Sequence, residues 1–329
     1  MRNLFFVVVL ALSMRVAPAA QDRPGTLLVL NKDDATLAAV DPLTGRILGT
    51  VATGEGPHEV AVSADGRWAF AANYGTQTPG SSISMIDLST MKESRRIDVS
   101  PLRRPHGLSV HDGKLYFTSE TNRLVARYDP DANRIDWLMG TGQAGTHMIW
   151  VSRDGSRIIT CNIGSNSMTI FDRAANPLAW NAVVVPVGRG PEGFDVSPDE
   201  RELWAAHSRD GAMSIIDLNQ KKVVYTVDLH TKVSNRLKFT PDGKTVLVSD
   251  ADAGEVLVID AATRAVTKKI ALGPGTEGIL MPPSGGRAYV AVNEENYVAA
   301  IDLKTFAVVQ KIRTGRGPDG MGWAGDGRR

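Results

Sequence analysis

Apolar and polar residues alternate in short runs along almost the whole chain, and the runs end in Asp, Gly, Asn or Pro rather than continuing into a helical period. Glu59 to Ser63 alternates after a Pro turn, and Ala64-Asp65-Gly66 forms a tight turn. Trp68 to Asn73, Ile83 to Asp87 and Glu93 to Val99 then read as three further strands. The same first turn recurs as Arg153-Asp154-Gly155 and Pro241-Asp242-Gly243, with Gly supplying the positive φ that the hairpin needs. At Asp199 the next residue is Glu200 instead of Gly, so that turn is expected to differ. No amphipathic helix of useful length interrupts the pattern.

The pattern repeats. A strand ending in Asp recurs at Asp41, Asp87, Asp129, Asp172, Asp217, Asp260 and Asp302, with spacings of 42 to 46 residues. A second unit keeps the same beat: Pro57-His58-Glu59, Pro105-His106-Gly107, Thr146-His147-Met148, Pro191-Glu192-Gly193, Ser234-Asn235-Arg236, Thr276-Glu277-Gly278 and Pro318-Asp319-Gly320. Four strands at this period are the signature of a β-propeller blade, and the fold class is all-β with seven blades. Leu27 to Asn31 matches a second strand and Thr36 to Asp41 a third, while Pro318 to Trp323 matches a first strand followed by the turn Gly325-Asp326-Gly327. The C-terminal strand is therefore expected to complete the blade begun by the N-terminal ones, closing the ring and removing exposed sheet edges.

These residues resemble the YVTN-repeat β-propellers, of the YncE-like seven-bladed kind. Leu28-Val29-Leu30-Asn31, Phe70-Ala71-Ala72-Asn73, Ile159-Thr160-Cys161-Asn162 and Tyr289-Val290-Ala291-Val292 are similar to the tetrad that names the family. Val196-Ser197-Pro198-Asp199 and Phe239-Thr240-Pro241-Asp242-Gly243 are similar to its first hairpin. The resemblance implies the fold and an exported protein. It does not specify function, because members include ligand-binding, surface and redox-associated proteins.

The ends and the charge refine this picture. Met1-Arg2-Asn3, the apolar run Leu4 to Ser13 and the small residues Ala17-Pro18-Ala19-Ala20 read as a secretory signal over residues 1–20, leaving 21–329 as one propeller domain. A secreted or periplasmic location is expected, with no membrane span after cleavage and a monomeric state. The whole chain carries 37 Lys+Arg against 36 Asp+Glu, and removal of Arg2 and Arg15 leaves 35 against 36. That balance argues against nucleic acid as a partner, although single-strand binding is known for one relative. Cys161 is the single cysteine, so no internal disulfide forms, and its apolar surroundings read as a buried strand.

Candidate chemistry follows from strand order. In a blade the first strand lines the central channel, so His58, His106, His147, Glu192, Asn235, Glu277 and Asp319 should ring one mouth. The second-strand ends Asn31, Asn73, Ser119, Asn162, His207, Asp250 and Val292 should open on the same side. Three imidazoles in consecutive blades, His58, His106 and His147, are the ligand type expected for Zn or Cu, and Glu192 or Glu277 could serve as general base. Arg236 stands where other blades have Gly and could clamp a carboxylate or phosphate, or pair with Glu192. Asn235, Arg236, Glu192, Glu277, Asp319, His207, Asn162 and Asp250 are the candidate ligand-binding residues. His111 and His230 fall outside the ring, and the seven strand-ending Asp residues read as turn acceptors.

Two motif matches fail on context. Gly140-Thr141-Gly142-Gln143-Ala144-Gly145 fits a dinucleotide fingerprint but precedes no helix, and Gly243-Lys244-Thr245 lacks the upstream glycine of a phosphate loop. The expected function is a binding or scaffold protein that takes a small molecule, peptide or partner loop at the polar mouth. The alternative is a His-ligated, metal-dependent hydrolase, lyase or oxidoreductase at the same place.

Overall fold

The computed structural model describes residues 25–176 and 179–325, and these form seven four-stranded antiparallel sheets arranged as a propeller. Residues 1–20, expected to be a secretory leader, and residues 326–327 of the expected C-terminal turn lie outside the described residues. Blades are numbered here by their inner strands: Pro57–Val62, Pro105–His111, Thr146–Val151, Pro191–Val196, Ser234–Phe239, Thr276–Leu280 and Pro318–Ala324. Neighbouring inner strands pack on one another around the axis. Among the described residues the helical content is one 3-10 turn, Ile163–Ser165.

The ring closes as expected. Pro318–Ala324 pairs with Thr26–Asn31, with Leu27 opposite Trp323 and Leu28 opposite Gly322. The second strand of each blade is buried along nearly its whole length because both its faces are covered by neighbouring blades. In the seventh blade Leu27 and Val29 pack against Tyr289 and Ala291 of the sixth. Leu28 and Leu30 turn the other way, onto Val60, Ala69 and Ala71 of the first. Each such leucine contributes roughly 1.5–3 kcal/mol by leaving water, and the closing contact is built from several of them.

The first-hairpin turns share one device. Asp65 accepts from Ser63 Oγ and from the backbone N of Arg67 at 3.0 Å. The turn at Asp199 does not differ, contrary to expectation. Asp199 accepts from Ser197 Oγ at 2.7 Å and Arg201 N at 3.2 Å, and Glu200 adopts φ 56°, beside 71° at Gly66 and 69° at Gly243. The Asp side chain and the flanking ladder hold the left-handed conformation even with a Cβ present. Six of the seven strand-ending Asp residues act as turn acceptors, as Asp41 receives Leu43 N at 2.9 Å and Thr44 N at 3.1 Å; Asp172 instead accepts from Arg157 Nε at 2.6 Å and pairs with Lys221. The turn bonds to Asp41 hold its carboxyl below the usual range.

Every inner strand carries an irregularity in its second and third positions, where two residues face one on the second strand, as between Pro57 and Val60. Such a bulge re-aims consecutive side chains and frees backbone groups. Second-strand residues satisfy them. Thr118 Oγ1 accepts from Gly107 N at 2.9 Å and donates to the carbonyl of His147 in the next blade. Ser249 Oγ accepts from Arg236 N at 2.9 Å and donates to Glu277 O at 2.6 Å. Cys161 fills the same post: Met148 N donates to its sulfur at 3.3 Å, and the thiol donates to Glu192 O at 3.2 Å. Burial pushes the thiol up to about 12, so it stays protonated and able to donate.

Cys161→Ser should therefore keep both links, whereas Cys161→Val should leave Met148 N–H and the Glu192 carbonyl unpaired at a cost of about 1–3 kcal/mol. Urea unfolding of the two variants checks this, and equal destabilisation would contradict it.

Candidate functional site

The bulges bring all seven second-position side chains to one end of the channel, as the repeat arithmetic requires, and most touch their neighbours. The His58 and His106 ring centroids are 5.2 Å apart, and those of His106 and His147 3.6 Å. His147 Nε2 lies 3.8 Å from Glu192 Oε1, and Asn235 Nδ2 donates to that same oxygen at 3.5 Å. Asp319 Oδ2 closes the circle on His58 Nδ1 at 3.1 Å. Imidazoles occupy one arc and carboxylates the other, as the sequence order requires.

The third-position slot explains how the ring fits. Gly107, Gly193, Gly278 and Gly320 stand where an added Cβ would come within 2.0–2.6 Å of backbone atoms of the next inner strand. The exceptions matter. Arg236 does not clamp an open site, nor does it pair with Glu192. Its Nη2 bonds Glu59 Oε1 across the channel, and Nη1 reaches Asn235 Oδ1 at 3.2 Å. Arg236 is buried and Glu59 largely so, and the pair is a bar through the channel. Removing one end would strand the other charge, at roughly 3–5 kcal/mol.

The residues that complete the mouth stand one position beyond the second-strand ends named above. Lys32 Nζ lies 3.5 Å from Asp319 Oδ2 and 3.8 Å from Glu277 Oε2. Tyr74 OH donates to Glu120 Oε2 at 2.6 Å, and its ring packs on His58 at a centroid distance of 4.7 Å. Glu120 Oε2 lies 3.9 Å from His147 Nδ1. The second-strand ends themselves are turned inward and engaged. Asn162 Nδ2 bonds Ser167 and Thr169, and Asp250 accepts backbone N–H groups of Lys232 at 2.7 Å and Val233 at 3.0 Å. His207 is enclosed beneath Gly188, with Nδ1 3.0 Å from Asp210 Oδ1. These three staple connectors and are not brought to the mouth.

Electrostatics divide the ring. Burial pushes the Glu277 carboxyl up to about 7; the Asp319 charge adds to this, and Lys32 and Arg236 only partly offset it. Burial acts the same way on Asp319, but the His58 hydrogen bond and the charges of His58, Lys32 and Arg236 outweigh it and hold Asp319 far below the usual range. His106 is driven well below its ordinary value by burial and by His147, His58, Arg236 and Lys32, so it is neutral. His106, 2% exposed, and His147, 7% exposed, leave His106 Nδ1 and both His147 ring nitrogens without a hydrogen-bond partner.

The three-imidazole metal centre is not assembled by this geometry. His106 and His147 lie 30° from parallel at stacking distance, so their in-plane lone pairs run alongside each other instead of converging. Among the described residues no group of three or more His, Cys, Asp or Glu is placed to hold a metal ion.

The sequence profile of the YNCE-like beta-propeller matches residues 4–326. The chain belongs to the YNCE-like β-propeller family. No curated protein matches this YNCE-like propeller. Among solved structures it is similar to hydrazine synthase of Kuenenia stuttgartiensis, at 21% identity and TM-score 0.68 over 80% of this chain and 88% of that one. It is also similar to a Bacteroides fragilis protein named as a candidate 6-phosphogluconolactonase, at 15% and 0.76 over 93% and 99%. The dihydro-heme d1 dehydrogenase NirN is similar at 13% and 0.66 over 94% and 77%. At these identities the likeness is one of fold. Among the described residues of this YNCE-like propeller, no helix is long and apolar enough to cross a membrane.

The raised Glu277 carboxyl has a stability consequence. Folded Glu277 holds its proton up to about 7, beyond an ordinary unfolded carboxyl, so its contribution is most favourable in acid and is lost as pH rises through about 7. Glu277→Gln should gain stability relative to the native chain between about pH 5 and about pH 8 in urea unfolding; a pH-independent difference would contradict this.

Proposed function

We propose that the chain is an exported binding protein that takes a small ligand or a partner's loop at the His-lined mouth of its channel. One observation carries the reading: His106 and His147 hold three buried ring nitrogens without partners. Each unpaired buried group costs about 1–3 kcal/mol, a cost that a bound group lifts on arrival. Paired cations and anions hold the opposite arc rigid, which lowers the cost of ordering the site. The near-neutral charge argues against a nucleic-acid partner, and the exported protein is taken to be monomeric.

Glu277 favours a second reading, acid–base catalysis on whatever the mouth holds, since a carboxyl near 7 can both give and take a proton. Recovery of a bound ligand unchanged after long incubation would leave binding as the whole function.

A thermal-shift screen with small amines, carboxylates, sugars and short peptides tests the site. A ligand at 100 times its Kd should add about 2.7 kcal/mol to the native chain and little to His147→Phe. Equal stabilisation of the two proteins by every active compound, or no active compound, would overturn the reading. Export has its own check: the N-terminus of the protein recovered outside the cytoplasm should lie at or near Gln21, and an intact Met1 there would contradict cleavage.

A further inference from the structure

Around His147 the mouth is rich in acceptors and poor in donors. Glu192 and Glu120 flank its two ring nitrogens at 3.8 and 3.9 Å, too far for direct hydrogen bonds. Among the described residues neither carboxylate has a Lys or Arg ion pair. The cations at the mouth make their close contacts elsewhere, Arg236 with Glu59 and Asn235, Lys32 with Asp319 and Glu277, and Arg104 over the Tyr74 ring at 4.4 Å, so Arg104 reaches Glu120 and Arg236 reaches Glu192 only through space. Glu192 is the less satisfied of the two. It accepts from Asn235 Nδ2 at 3.5 Å, whereas Glu120 accepts from Tyr74 OH at 2.6 Å.

We infer that the group bound at this mouth is a primary ammonium, seated between His147 Nε2 and the Glu192 carboxylate. This rests on the binding reading above and names its ligand class. A nitrogen about 2.8–2.9 Å from each acceptor spans the 3.8 Å gap without moving the backbone, and its charge answers the unpaired carboxylate. Glu120 sets the tautomer. Once the ammonium engages Glu192, the Glu120 carboxylate beside Nδ1 is the one left to favour the His147 proton, which leaves the Nε2 lone pair facing the seat, so Glu120 is a positioning residue. A neutral amide or alcohol would leave Glu192 uncompensated. A carboxylate ligand would be repelled. A tetrahedral metal needs more converging ligands than the described residues supply.

The test is calorimetric titration at about pH 8 with n-butylamine, butyrate, tetramethylammonium and zinc chloride. n-Butylamine should bind one to one. Tetramethylammonium, which carries charge but no N–H, and butyrate should bind at least about tenfold more weakly. Glu192→Gln should weaken n-butylamine by about tenfold or more, and Glu120→Gln should shift His147 toward the other tautomer in 15N spectra as well as weaken binding. n-Butylamine binding unchanged by Glu192→Gln overturns the inference, as does zinc binding one to one through His147. If butyrate binds the native chain and His147→Phe abolishes it, the ammonium inference falls while the mouth remains the binding site. No binding by any of the four overturns the ammonium inference, and the wider ligand screen then decides on the mouth alone.

Discussion

Seven inner strands must pass one axis closely enough to pack on one another, and the rest of the molecule is arranged around that crowding. At Gly107, Gly193, Gly278 and Gly320 a Cβ would strike the backbone of the next blade, so side chains are excluded from four of the seven third positions. The bulge in each inner strand relieves the remaining crowding and frees backbone donors, which Thr118, Cys161 and Ser249 tie to the following blade. Closure and site thus share one origin. The bulge that lets the ring close also gathers polar side chains at one end of a narrow channel.

Charge placed in such a channel has little water to screen it, so pairing decides which groups stay ionised. On one arc Asp319 is held ionised by His58, Lys32 and Arg236, and Glu277 beside it retains its proton to about 7. On the other arc His106 is neutral and stacked on His147, with ring nitrogens unengaged. The bar from Arg236 to Glu59 neutralises the channel between them. The mouth is rigid where its charges are paired and open to a partner where its imidazoles are not. That asymmetry, more than the fold, distinguishes the site chemically.

Period and strand order were legible in the residues because the Asp-ended strand and the second-position slot recur seven times, and a closed ring leaves no freedom in how repeats are stacked. The mouth was legible only in part. His58, His106, His147, Glu192, Asn235, Glu277 and Asp319 follow from the slot alone. Lys32, Tyr74 and Glu120 do not, because the recurrent polar residue that marks the second-strand end stands one position before each of them and is bonded within its own blade. Glu59 had a signal that went unused: it and Arg236 are the two charged residues in a slot otherwise filled by four Gly and Met148, with opposite signs. Glu200 shows the converse, a local preference for Gly overridden by the Asp199 bonds and the flanking ladder.

Ring nitrogens of His106 and His147 stand unengaged inside the channel, and 15N spectroscopy of the histidine rings reads this directly. His106 should keep the pattern of a neutral ring, one protonated nitrogen and one bare, to a pH well below that at which an ordinary histidine becomes protonated. An imidazolium at His106 near neutral pH, or a bare nitrogen shifted as if firmly hydrogen-bonded within the protein alone, would contradict the account.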